Sequence, residues 1–323
     1  MRLLKLVPDT TNIQFTRWRG LAMGISLLLI VASIALVAVR GLNLGVDFVG
    51  GQMVRVTFTQ AVPLDRLRDT VNALDMGEAA IQQFGKPNEV SIRMPLPRGD
   101  AGAADAAATR LKGAILAEYP GATFGSVDTV SGKVSGELFR TGAIAMTLAM
   151  IAISIYIWFR FEWQFGVGSL FALVHDVSLT FGFFALTRLE FDLNSVAAVL
   201  TIIGYSLNDT IVVYDRIREN LRKYRKMDIV GLLDLSVNET LSRTIMTSLS
   251  MIIALGCLLI WGPEVIFGFT AAMLLGIFIG TYSSIYMAAP MLVWLKIGPD
   301  SFVPKEATAA KGAERLGPDG STP

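Results

Sequence analysis

Ser206, Asn208, Asp209, Thr210 and Asp215 place two carboxylates and three hydrogen-bonding side chains in a stretch otherwise apolar enough to cross a membrane. A carboxylate at the centre of a membrane helix costs roughly 2.5 to 3.5 kcal/mol on insertion scales, so a chain that keeps one there has a use for its charge or its proton. Helical spacing makes Thr201, Tyr205, Asn208, Val212 and Asp215 successive neighbours, with Asp209 one step round from Asn208 and with Asn194 and Ser195 as the expected cap. Two nearby apolar stretches carry further polar groups. His175 and Asp176 lie about eleven residues into one of them, near mid-membrane at about 1.5 Å per residue. The other opens with Ser242, Arg243 and Thr244 and continues through Thr247, Ser248 and Ser250, a small and polar face suited to hydrogen bonds between helices. Asp209 and Arg243 fall at compatible depth, so each can neutralise the other.

This set suits a proton relay. Asp209 would alternate between a protonated state and pairing with Arg243, with Asn208, Tyr205 and the Thr/Ser cluster holding the water that feeds it and Asp176 as a further candidate member. A permanent ion pair would serve only to stabilise the bundle. His175 beside a carboxylate reads more simply as a hydrogen-bonded packing residue. Asp215 and Arg216, with Arg218 and Glu219, fall where the helix leaves the membrane, and a structural, interfacial role is expected for them. Gly268, Ala272, Gly276 and Gly280 recur every fourth residue, a helix-packing stripe. Asp47, Gly50 and Gly51, with Phe48, form a tight junction, either hinge or plain turn.

The elements that must position these groups follow from composition. The 323 residues are 53% hydrophobic and 17% charged, with a mean hydropathy of +0.54, which is membrane-protein composition. A net charge of +1 points to no nucleic acid, and the single cysteine, Cys257, excludes a disulfide within the chain. Apolar stretches at 21–39, 141–159, 165–187, 194–214, 244–261 and 265–287 are near the roughly 20 residues a spanning helix needs. Residues 1–20 and a loop at 215–243 are read as cytoplasmic, because Lys and Arg of the short connections gather on one side. Both termini are then cytoplasmic, residues 40–140 are exported, and the segment 296–323 is a cytoplasmic tail of disordered composition.

Within the exported segment the pattern reads as strand (52–58), helix (64–74), strands (80–84 and 89–94), helix (101–119) and strand (123–130). That order is β-α-β-β-α-β, a ferredoxin-like α+β domain between spans one and two of an otherwise α-helical polytopic protein. It carries no histidine or cysteine and no catalytic constellation. No enzyme, cofactor or metal is expected in the chain.

The motifs G-V-D-F-V-G-G (Gly45 to Gly51), His175-Asp176, G-Y-S-L-N-D-T-I-V-V-Y-D-R-I-R-E (Gly204 to Glu219) and N-E-T-L-S-R-T-I-M-T-S (Asn238 to Ser248) together resemble the SecF family of protein-export membrane proteins. One span, an exported domain and five more spans also resemble half of a resistance-nodulation-division transporter. The resemblance implies a bacterial inner-membrane subunit that works with SecD, beside SecYEG and often YajC, drawing on the proton motive force to help a translocating preprotein emerge. It implies proton movement at the carboxylate of S-x-N-D and the arginine of S-R-T, here Asp209 and Arg243. An inert scaffold and a small-molecule exporter of the same superfamily are the alternatives. The scaffold has no need of Asp209, and drug exporters have two large exported domains.

Overall fold

The computed structural model describes residues 8, 11–77, 79–83, 86–97 and 101–298; the tail from Pro299 lies outside them. Helix α1 (Arg19–Arg40) follows a 3-10 turn at Phe15–Trp18, and a short turn of helix, α2 (Val46–Val49), links it to the α/β domain. The domain runs β1 (Gly51–Thr57), α3 (Leu64–Asn72), β2 (Ala80–Gln83), β3 (Glu89–Met94), α4 (Ala101–Glu118) and β4 (Thr123–Val130). Its four strands pair antiparallel in the order β2-β3-β1-β4. Leu67 and Val71 of α3 and Leu111 and Ile115 of α4, each pair one helical turn apart, are buried in one core with Val54, Val56, Val90 and Ile92. Both helices therefore cover the same face of the sheet.

Five further helices follow: α5 (Gly132–Arg160), α6 (Trp163–Thr187), α7 (Leu193–Lys223), α8 (Ile229–Trp261) and α9 (Phe267–Ser283), the last prolonged by a π-helical turn at Ser284–Ala288 and by α10 (Ala289–Trp294). Among the described residues six helices are long and apolar enough to cross a membrane, and the chain is a multi-pass membrane protein. α7 and α9 sit at the centre, and α1, α5 and α8 leave large apolar side chains such as Leu28, Leu148 and Ile253 exposed. That is the pattern of a bundle facing lipid or another apolar surface.

The expected loop at 215–243 is a finding against the sequence reading. α7 continues to Lys223 and α8 starts at Ile229, leaving only 224–228 between them. The unbroken apolar run ends there, but helix does not. Ile217 and Leu221 of α7 and Leu232, Leu233 and Val237 of α8 are buried in the bundle core, and Asn220 donates to Ser236 Oγ at 3.0 Å and to Glu239 Oε2 at 2.7 Å, so apolar packing and polar contacts together hold the two helices. The cap of α7 also differs. Asp192, not Asn194, is the N-cap, its Oδ1 accepting from Ser195 N at 2.8 Å in a reciprocal capping box.

The glycine stripe of α9 allows the central pair to approach. A Cβ at Gly276 would collide with the side chain of Ile202, and one at Gly280 would lie 3.0 Å from Ser206 Cβ, whereas Gly204 faces open space. Gly276→Val is therefore expected to lower the thermal midpoint of the purified protein by several degrees, with Gly204→Ala unchanged or slightly more stable. Equal midpoints for the two would show that α7 and α9 do not depend on this contact.

Candidate functional site

Asp176 ties three helices of the bundle. It is 0% exposed. On one oxygen, Oδ2, it accepts from Ser283 Oγ of α9 at 2.8 Å and from Ser206 Oγ of α7. On the other, Oδ1, it lies 2.8 Å from His175 Nδ1. The aromatic ring of Tyr282 sits 6.0 Å from that of His175, and its hydroxyl reaches α1 at Ser26 Oγ and Ala22 O, both at 3.1 Å. A carboxylate with this many partners is satisfied in place; its arrangement suits a structural anchor.

Asp209 has the opposite character. It lies one turn further along α7 from Ser206, 3% exposed, and its Oδ2 is buried without a hydrogen-bond partner. Sixteen residues from the start of α7, it sits about 24 Å into the helix. Arg243 of α8 is the charge whose field reaches it. No closed pair forms, however: Arg243 is exposed, and among the described residues no ion pair within 4.0 Å joins the two. The two stand apart in this structure. α8 turns Ser242, Arg243, Met246, Thr247 and Ser250 to the outside while burying Thr244 and Ser248, so depth matches but facing does not.

The remaining candidates divide between separate places. Asn208, one step round from Asp209, points outward with Thr201 and Gly204. Tyr205 donates to Ser248 Oγ at 3.1 Å, and Ser248 shares a 2.8 Å bond with Thr281 of α9. Asp215 pairs with Arg160 of α5 at 3.0 Å, and Arg216 with both Glu219 and Glu239 at 2.7 Å. These bonds tie the ends of α5, α7 and α8 on the side away from the α/β domain. Asp47 Oδ2 accepts from Leu193 N at 3.0 Å, anchoring the start of α7. Gly50 and Gly51 hold φ of +76° and +117°, and a Cβ at Gly51 would lie 2.6 Å from Met94 O. Both positions require glycine on backbone grounds alone.

Sequence reasoning missed Ser283 and Thr281, because hydroxyls in an apolar run carry no signal until a partner helix is known. It also missed Asp234, which accepts from Thr16 N at 2.8 Å and Thr16 Oγ1 at 2.6 Å, and the use of Asn238, whose amide bridges the backbone N and O of Ile13. These fasten the segment before α1 to α8. A buried carboxylate and amide four residues apart on one helix were the available signal.

Residues 113–298 match the family model "Protein export membrane protein SecD/SecF, C-terminal", and residues 35–62 match "SecD/SecF GG Motif". The chain is 43% identical over 304 residues to protein translocase subunit SecF of Rhodobacter capsulatus, covering 90% of this chain and 91% of that one. It is 44% identical over 315 residues to the Cereibacter sphaeroides subunit, covering 95% and 96%. Among solved structures, SecDF of Thermus thermophilus superposes with a TM-score of 0.82 at 34% identity, over 90% of this chain. A SecDF structure in a super-membrane-facing form does so with a TM-score of 0.66 at 33% identity, over 94%. The chain spans 40% of the length of each of those two.

The contrast between the two carboxylates is measurable. Asp176→Ala strands Ser206, Ser283 and His175 in a dry interior and is expected to destabilise the bundle by about 2 to 4 kcal/mol. Asp209→Asn loses no hydrogen bond and is expected to change stability by less than about 1 kcal/mol. Thermal unfolding of the purified variants decides this; a larger loss for Asp209→Asn would give it the anchoring role instead.

Proposed function

Because the chain belongs to the SecF branch of the SecD/SecF family of protein-export membrane proteins, we propose that it is the proton-coupled half of a SecD-containing complex that uses the proton motive force to assist export through SecYEG. The observation that carries this is the buried, unpartnered carboxylate of Asp209. Asp209 Oδ2 takes no hydrogen bond from a neighbouring helix, so anchoring does not use it, and an idle carboxylate at this depth would be a net cost. A guanidinium that is near but not closed on it provides the second state: approach of Arg243 favours the ionised carboxylate, and withdrawal favours the protonated one.

The outward face of α7 carries Asn208 and the outward face of α8 carries Arg243, polar groups where lipid would demand apolar ones. We assign this flank to the membrane half of SecD, which would supply the missing walls of the water path. The basic ends of α5 and α7 lie away from the α/β domain. By the positive-inside tendency those ends are cytoplasmic and the domain is exported from an inner membrane. Both termini are then cytoplasmic.

A scaffold that never titrates is the competing reading. Asp209→Asn keeps shape while removing titration, so under the relay reading it inserts, assembles with SecD and loses most gradient-stimulated export of a stalled preprotein in inverted vesicles, measured at matched complex levels. Arg243→Met fails in the same way, because the carboxylate loses the charge that favours its ionised form. If Asp209→Asn exports as well as wild type, the relay is wrong.

A further inference from the structure

At the end of the bundle that carries the α/β domain, the loop 188–192 between α6 and α7 is laced to the linker between α1 and α2. Phe191 N donates to Asn43 O at 2.7 Å, and Gly45 N to Phe191 O at 2.9 Å. Asn43 Nδ2 donates to Arg188 O at 3.1 Å, and Arg188 Nη1 to Arg40 O and Gly41 O, both at 3.0 Å. The sheet joins from above: Gln82 donates to Arg188 O and Arg93 to Leu44 O. Besides α2 and the run of β4 into α5, the domain is therefore held to the bundle at this seam, where the side chains of Gln82 and Arg93 reach backbone carbonyls of the loop and the linker.

Glu190 sits in that seam. A Cβ at Gly45 would lie 2.6 Å from its Oε1, so the carboxyl presses on the linker at a point where glycine leaves room. It lines a cavity with Asn43, Arg55, Gln82, Ser91 and Phe267. The charged groups facing it are committed elsewhere. Arg55 of β1 pairs with Asp128 at 2.7 Å, and Arg93 of β3 and Arg188 hold the carbonyls named above. Asp192 caps α7 and Asp47 accepts from Leu193 N, while Arg68 lines the adjoining cavity. Among the described residues no cation closes on the Glu190 carboxylate within 4.0 Å, so its proton can come and go without breaking another bond of the seam.

We propose that Glu190 is a proton-operated latch that sets how firmly the α/β domain is held against the bundle. Burial, the largest cause, lifts its pKa from 4.5 to about 7; Asp192 and Asp47 push the same way, and Arg55 and Arg93 oppose them. In an opened seam the carboxyl would be solvated and ordinary, so protons bind the closed seam more tightly. The advantage of closure is full below about pH 4.5, decays as pH rises, and is gone above about pH 7. An acidic medium on the domain's side clamps it, and a neutral one loosens it. The latch operates without the Asp209 relay and without a gradient.

The test is double electron–electron resonance on the full chain in liposomes at equal pH on both sides. Spin labels replace Asp105 on α4 and Leu186 on α6, both exposed, in a Cys257→Ser background. Raising the pH from about 5 to about 8.5 is expected to lower the ratio of closed to open distance populations by roughly 100-fold. Glu190→Gln, neutral at every pH, stays closed at both, and Asp209→Asn responds as wild type does. A wild-type distribution that ignores pH, or a Glu190→Gln variant that shifts as far as wild type, overturns the latch. Loss of the response in Asp209→Asn also overturns it, by assigning the pH dependence to the bundle.

Discussion

Hydrocarbon offers no hydrogen bonds, so every polar group placed between these helices must find a partner within the chain or be retained for another purpose. Asp176 meets the first condition through two serines and a histidine on three segments. Its position prescribes how α6, α7 and α9 are rotated about their axes, because only one rotation brings Ser206 and Ser283 to the same carboxylate oxygen. Gly276 and Gly280 act with it by permitting the close approach that those short hydroxyls need. Polar satisfaction and small-residue packing thus enforce a single geometry at the centre of the bundle.

α7 is the element on which the functional readings converge. Within five residues it presents an interhelical hydrogen bond at Tyr205, the Ser206 donor to Asp176, an outward Asn208 and an inward, unpartnered Asp209. At its start it is held by its own capping box and by Asp47 from the neck of the α/β domain. Its far end is held by Asp215, Arg216 and Asn220. These contacts at both ends and in the middle fix the position of α7 against its neighbours.

The neck is where the glycine motif has its physical meaning. Gly51 cannot carry a side chain because Met94 O occupies the place of its Cβ, and its φ of +117° is unfavourable for any other residue. Gly45 makes room for a carboxyl from a different loop. These glycines hold a compact joint between helix and sheet, and the choice between hinge and plain turn is now the choice between an opening and a permanent seam.

Local rules sufficed for much of this molecule. Long apolar runs have one outcome in a bilayer, so the six spans were legible. In the α/β domain, alternation and turn residues set strand and helix bounds that fall within a residue or two of those in the structure. Asp176 and Asp209 were conspicuous because charge in an apolar run is costly whatever surrounds it. What a linear pattern does not contain is which faces meet. Only the packed bundle decided that Asp176 is saturated while Asp209 Oδ2 is not, that Arg243 faces outward, and that of the neighbours Asn208 and Asp209 the first faces out and the second in. The same holds for the helical ends within 215–243, where buried residues such as Leu221 and Leu232 and the bonds of Asn220 are brought together by the neighbouring helix. The bond of Ser283 to Asp176 spans 107 positions and that of Ser206 spans 30, and such partners are brought together by packing alone.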